Sequence, residues 1–177
     1  SNLLPNHSFG HALVIPVHAE GRTIIQTLSS IPNAAHPHLI ILVLNARETD
    51  NDSIHTFNQE SYDAICEHYS KAQKIAKNMS LHQHPRGTLL LVDHYSKEQR
   101  FKPKEGVGLA RKIGSDIALS IWRSGLLLCP YINSSDADVL FPEDYFQQIL
   151  DTSPKERHSA ILYSFWHTPT PDTPRLR

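Results

Sequence analysis

The most constraining feature of this chain is the apolar run Leu39-Ile40-Ile41-Leu42-Val43-Leu44. In a strand, successive side chains point to opposite faces of the sheet, so this run would present apolar groups on both faces. Both faces then need cover, which is typical of a central parallel strand flanked by helices. The run therefore favours an α/β fold.

The rest of the chain alternates apolar runs with helical patterns, in which apolar residues recur at three- and four-residue steps. This order predicts an α/β fold with a mostly parallel sheet and helices on both faces. In such sheets, ligands bind beyond the carboxyl ends of the strands, at a switch point in strand order. We therefore expect the site in the loops that begin at His18, Asn45, Asp93 and Ser134. The predicted strands cover residues 12–17, 39–44, 88–92, 126–132 and 160–166, and the predicted helices cover residues 24–28, 52 to about 78, 109–124 and 143–150.

Composition limits the possible functions. The 177 residues are 40% hydrophobic with a net charge of -1, which suits one compact domain and argues against a nucleic-acid partner. No apolar run approaches the roughly 18 residues that a membrane span needs. The two cysteines, Cys66 and Cys129, form no metal-binding pair, so we interpret them as free thiols of a cytoplasmic protein. We predict one domain over residues 1–168 and a proline-rich tail over residues 169–177.

The chain contains twelve histidines, which is many for its length. Two pairs, His36 with His38 and His82 with His84, stand beside prolines, with no cysteine and no helical pair of histidines to complete a metal site. We interpret these four residues as solvent-exposed loop histidines.

A polar, basic loop over residues 94–106 follows the third predicted strand. It is either a solvated connection, which is the usual role of such loops, or a flexible flap over phosphate groups. The sequence favours the solvated connection.

The acidic triplet Asp136-Ala137-Asp138 follows an apolar run and precedes a possible helix start. Paired carboxylates at a strand end suit Mg²⁺ or Mn²⁺, which prefer oxygen ligands and often bind substrate phosphates as well. The alternative role of these aspartates is to cap the next helix or turn. A second triplet, Asp50-Asn51-Asp52, follows a polar run and is the weaker candidate for a metal site.

Four motifs occur in a suggestive order: residues 14–20 (VIPVHAE) at the end of the first strand, Asn45 at the end of the second, residues 108–114 (GLARKIG) at a helix start, and residues 135–138 (SDAD) after the fourth strand. Together they resemble the nucleotide-sugar-binding half of a GT-A-fold glycosyltransferase, which is Rossmann-like, and most nearly the inverting family 2. The resemblance extends over about residues 11 to 168.

The resemblance implies a role for each matching residue. Pro16, Val17 and Glu20 would surround the nucleoside. Asn45 stands where that family commonly has an aspartate that contacts the base, and this departure puts the base preference in doubt. Arg111 would contact phosphate or base, although a helical arginine is commonly only an exposed charge. Finally, Asp136 would approach the ribose, and Asp138, with Asp136 beside it, would bind the divalent cation, the DXD motif of such enzymes.

The function that follows is transfer of a sugar from a nucleotide diphosphate to an acceptor hydroxyl. In the resembling family, the catalytic base and most of the acceptor site lie after the fifth strand, beyond the residues of this chain. We therefore expect a donor-binding domain more than a complete catalyst. A non-catalytic nucleotide-sugar-binding module is the alternative, and a sugar nucleotidyltransferase ranks third because the loop after the first strand lacks a glycine-rich motif.

Overall fold

The computed structural model describes residues 8–69, 73–150 and 160–163. A short 3₁₀ turn, Gly21–Thr23, leads into the first helix. The strands are β1 (Ala12–Val17), β2 (His38–Asn45), β3 (Gln73–Ala76), β4 (Met79–His84), β5 (Gly87–His94) and β6 (Ile132–Ser134), and the helices are α1 (Ile24–Ser30), α2 (Asp52–His68), α3 (Val107–Arg123) and α4 (Gln147–Leu150).

The strands form one six-stranded sheet in the order β3-β4-β5-β2-β1-β6. β1, β2, β5 and β6 are parallel, whereas β3 and β4 form an antiparallel hairpin that extends the sheet beside β5. This arrangement confirms the predicted α/β fold with a mostly parallel sheet.

Two hydrophobic cores cover the two faces of the sheet. Alternate residues of β1 and β2, such as Ile15 and Leu42, pack with α1 and α2, while their neighbours, such as Val14 and Ile41, pack with α3. All eight residues of β2 are buried, as its continuous apolar pattern predicts. Helices therefore cover both faces.

Proline is unusual in a central strand because it cannot donate a ladder hydrogen bond. Pro16 is tolerated because β6 pairs only with Ala12–Val14 of β1 and has ended before it reaches Pro16. The carbonyl of Val14 faces that side and accepts from the Ser135 amide at 3.0 Å. Two residues further along, Pro16 faces the same side without a neighbouring strand.

The predicted helix from residue 52 to about 78 is wrong in its second part. α2 ends at His68, and the β3–β4 hairpin follows. Tyr69 and Met79 fit a helical pattern, but this stretch instead adds strands to the free edge of β5, with Leu81 buried opposite Leu90. Because a sheet edge supplies backbone partners that no local pattern reveals, tertiary pairing overrides the helical periodicity.

The interpretation of the histidines is correct only for His36, which is exposed. His38 and His84 are 0% and 6% exposed, and His82 is buried as well. Their ring nitrogens bond to backbone carbonyls, at 3.1 Å from His38 Nε2 to Pro32 and 3.2 Å from His84 Nε2 to Leu28. Desolvation lowers the pKa of both His38 and His84 to about 4, so they are neutral core residues.

The C-terminal elements also differ from the prediction. The strand predicted over residues 126–132 is replaced by an isolated bridge at Leu127 and by β6, which starts only at Ile132, because Pro130 interrupts the run. The predicted helix over residues 143–150 shortens to α4. Residues 160–163 of the predicted fifth strand are not in a strand, and residues 164–166 and the tail over residues 169–177 lie outside the described residues.

Both cysteines are free, as predicted, and burial raises the pKa of each thiol. Among the residues that the structure describes, no helix has the length and apolar character that crossing a membrane requires.

Candidate functional site

The strand order places a switch point beside β1. From β1 the chain proceeds outward to β2 and then to β5, and it later returns to form β6 on the opposite side of β1. The loops after β1 and β6 therefore lie beside each other at the carboxyl ends of these strands, which is where parallel α/β sheets bind ligands. His18, Glu20, Asp136 and Asp138 lie in these two loops.

The turn after β1 has an unusual backbone conformation. Ala19 has a φ of 63°, a region that residues with a side chain rarely adopt. The Asn58 side chain of α2 stabilises it, because its Oδ1 accepts from the Ala19 amide at 2.9 Å. Ala19 thus forms a tight turn directly after β1, with His18 before it and Glu20 after it.

The acidic triplet is held by its central residue. Ala137 is buried, and its carbonyl accepts from the Thr27 hydroxyl of α1 at 2.7 Å. Asp136 and Asp138 on either side of it are exposed. Neither aspartate lies at the start of the short helix α4, which begins at Gln147 and has no acidic residue in its first turn. The triplet thus presents two carboxylates to solvent from a fixed backbone.

Arg111 lies at the same edge. Its guanidinium forms an ion pair with Asp136 Oδ1, with side chains 43% and 62% exposed. The Nε atom of Arg111 is buried and has no hydrogen-bond partner among the described residues. α3 approaches β1 closely at Gly114, where a Cβ atom would overlap the Val14 Cγ1 methyl. This close packing places Arg111 beside β6.

The pKa of Glu20 depends in part on the acidic triplet. Burial raises the pKa of its carboxyl group, and the negative charges of Asp138 and Asp136 raise it further, while His18 opposes them. Glu20 therefore lies near enough to Asp136 and Asp138, beyond the ends of β1 and β6, to interact with them electrostatically. The structure brings together four of the predicted site residues, since Arg111 pairs with Asp136.

The other three predicted site residues are placed differently. Pro16 and Val17 are buried in β1, and Val17 is part of the core. Asn45 is also buried, and its Nδ2 donates to the carbonyls of Val17 at 2.9 Å and Val43 at 3.2 Å. In this structure these residues support the strand ends, and base recognition by Asn45 stays a prediction.

A polar network that the sequence analysis assigned no role also lies here. His18 Nε2 is 3.0 Å from Asp50 Oδ2, which also accepts from the Arg47 amide at 2.8 Å. Asp50 belongs to the second acidic triplet, whose polar context argued against a site. Its position in the loop after β2 was the available signal, because that loop opens at the same edge of the sheet as the loop after β1.

The loop over residues 94–106 is tied to the loop after β2. Phe101 is buried, and its amide donates to the Ala46 carbonyl at 2.8 Å. Arg47 Nε donates to the Glu105 carbonyl at 2.9 Å. These contacts make the loop an ordered connection along its length from Phe101 to Glu105, with Lys102 and Lys104 exposed.

Two further observations bear on function. Within the described ranges, no group of three or more histidine, cysteine, aspartate or glutamate side chains is arranged to hold a metal ion. Comparison of the chain with protein-family models, with curated proteins and with solved structures gives no match.

Proposed function

We propose that this domain binds a nucleotide-diphosphate sugar together with Mn²⁺ or Mg²⁺, as a glycosyltransferase donor domain does, for transfer of the sugar to an acceptor hydroxyl. The proposal depends mainly on one observation: Glu20, Arg111, Asp136 and Asp138 converge at the carboxyl ends of β1 and β6. This edge is the switch point of the sheet.

The donor set fits a hard divalent cation. Asp136 and Asp138 are exposed carboxylates on a fixed backbone, and the pKa of Glu20 is raised chiefly by burial and further by their negative charges. Two protein carboxylates are a usual number for Mg²⁺, which completes its shell with water and substrate phosphates. A site with only two protein ligands in place can therefore still bind Mg²⁺ together with the substrate. When bound, the ion would neutralise charge on the leaving diphosphate.

Arg111 supplies the opposite charge. Its fork of N–H donors suits a phosphate group or a base edge, and its buried Nε still lacks a partner among the described residues. We expect the nucleotide to compete with Asp136 for this guanidinium, which would release Asp136 toward the ribose or the cation.

Calorimetry tests the binding function directly. Nucleoside diphosphates with different bases are titrated into the protein with Mn²⁺ and, separately, with a chelator. At least one should bind in a Mn²⁺-dependent manner, and Asp138→Asn should weaken that binding about tenfold or more, the effect of losing a charged ligand. Asp116→Asn is the matched control, because Asp116 is an exposed carboxylate on α3 that pairs with Lys112. Absence of Mn²⁺-dependent binding by the wild-type protein would refute the proposal.

A nucleotide-sugar-binding module without turnover remains the second candidate. The ion pair with Arg111 favours it, because a carboxylate neutralised by arginine is a weaker ligand for a cation. Release of free nucleotide from a bound nucleotide sugar separates the two functions, since only the enzyme produces it.

A further inference from the structure

His18 and Asp50 form a histidine–carboxylate pair near Glu20. His18 Nε2 lies 3.0 Å from Asp50 Oδ2, and the Asp50 side chain is only 10% exposed, compared with 37% for His18. The N-cap of α2 is Asn51, whose side chain accepts from the Ile54 amide. Asp50 is therefore not occupied by helix capping and supports His18 instead.

This pair determines which ring nitrogen of His18 carries hydrogen. Burial alone would raise the pKa of Asp50, but hydrogen bonds from the Arg47 amide and from His18 hold it below its ordinary value. An ionised carboxylate can only accept, so in the neutral imidazole Nε2 carries the hydrogen and Nδ1 keeps its lone pair. No hydrogen bond among the described residues involves His18 Nδ1.

The position of His18 adds an independent argument. It is the first residue after β1, and its nearness to Glu20 lowers the pKa of that carboxyl group, against the effect of burial. The next residue, Ala19, has the left-handed conformation described above, and backbone strain of this kind is concentrated at functional sites. The charged groups around His18 are Asp50 and Arg47 in the loop after β2, Glu20 in its own turn, and, beyond Glu20, the acidic triplet after β6.

We infer that His18, held by Asp50, is the general base for the attacking hydroxyl, and this inference rests on the proposed function. The hydroxyl oxygen of water or of an acceptor forms a bond to the anomeric carbon, and its proton moves to His18 Nδ1. The bond between the anomeric carbon and the β-phosphate oxygen breaks, and its electron pair leaves with the nucleoside diphosphate. Asp50 acts as a positioning residue that stabilises the resulting imidazolium.

The test combines three measurements on the full chain. Calorimetry gives the affinity for a nucleoside diphosphate with Mn²⁺. Release of free nucleotide from the corresponding nucleotide sugar, followed from about pH 5 to pH 9, gives the rate of hydrolysis by water. Nitrogen-15 NMR of the ring nitrogens gives the tautomer of His18. The variants are His18→Gln, Asp50→Ala and, as a control, His68→Gln, which changes an exposed histidine at the end of α2.

We expect His18→Gln to bind nucleotide as the wild-type protein does, to hydrolyse the donor about 100-fold more slowly, and to lose the fall in rate at low pH. The wild-type ring should carry its hydrogen on Nε2, and Asp50→Ala should relax this preference. Retention of the wild-type rate by His18→Gln, or binding without hydrolysis by the wild-type protein, would overturn the assignment of the base while leaving the binding function intact. Absence of nucleotide binding by the wild-type protein would overturn both proposals.

Discussion

Asn58 on α2 and Ala19 after β1 are joined by a hydrogen bond of 2.9 Å from the Ala19 amide to the Asn58 side-chain oxygen. The Asn58 amide group also donates to the Asn45 carbonyl at 3.1 Å. One fully buried side chain thus links the ends of β1 and β2. It holds the turn that contains His18 and Glu20, so the geometry of the candidate site depends on a residue outside it.

Replacement of Asn58 should be costly for this reason. Asn58→Ala leaves the Ala19 amide and the Asn45 carbonyl without their partner, and we expect the free energy of unfolding to fall by about 2 to 4 kcal/mol. Urea denaturation measures the change. Thr56→Ala, an exposed position on the same helix, is the control and should change stability by less than about 0.5 kcal/mol. Equal stability of the two variants would show that the buried hydrogen bonds contribute little.

The contact between α3 and β1 makes a second prediction. Gly114→Ala would place a methyl group against Val14, and we expect a loss of about 1 to 3 kcal/mol from overpacking. Gly108→Ala is the matched control, because a Cβ at Gly108 meets no atom within 4 Å and alanine favours a helix. Thermal unfolding should therefore show a lower midpoint for Gly114→Ala only. Gly114→Ala should cost less in a Val14→Ala background than in the wild-type protein, and an equal cost in both backgrounds would argue against the steric cause.

The buried histidines predict acid sensitivity. The pKa of His38 and of His84 is lowered from 6.5 to about 4 by burial, so the unfolded chain binds protons that the folded protein does not. Their stabilising contribution is complete above pH 6.5 and is lost as the pH falls from 6.5 toward 4, by roughly 2 kcal/mol per histidine at pH 5. Urea denaturation from pH 7.5 down to about pH 5 measures this loss.

A variant separates these histidines from other titrating groups. In His38→Gln the loss of stability between pH 7.5 and about pH 5 should be smaller than in the wild-type protein, because one buried histidine no longer titrates. His36→Gln, at an exposed position, serves as the control. If all three proteins show the same dependence on pH, His38 does not contribute to it.

The ion pair of Arg111 and Asp136 should matter for binding more than for stability. Both side chains are largely exposed, so Arg111→Lys should change the free energy of unfolding by less than about 1 kcal/mol. Lysine lacks the planar fork of donors, and we expect nucleotide affinity to fall about tenfold by calorimetry. Lys112→Arg, a conservative change at the next residue, is the control. Unchanged nucleotide affinity in Arg111→Lys would exclude a contact by its guanidinium.

Sequence patterns were sufficient for the central part of this fold. β1 and β2 begin and end within one residue of the predicted positions, because continuous apolar runs have few alternatives to a buried strand. The predictions failed where a partner lies outside the segment that carries the pattern. The β3–β4 hairpin depends on pairing with β5, and the buried His84 bonds to the carbonyl of Leu28 in α1.

At the candidate site, too, some features could be predicted from the sequence and others became visible only in the structure. The sequence alone indicated that Glu20 and the acidic triplet follow strands of a parallel sheet and that Arg111 lies near the start of a helix, although β6 begins only at Ile132, where the predicted strand ended. Only the tertiary structure decided that Asp50 supports His18 and that Asn45 points inward, because loops from different strands meet only when the sheet assembles. His18 and Asp50, like Asn45 and Val17, are far apart in the chain, so no local sequence pattern indicates that they are in contact. Their pairing is determined by how the strands and loops pack together.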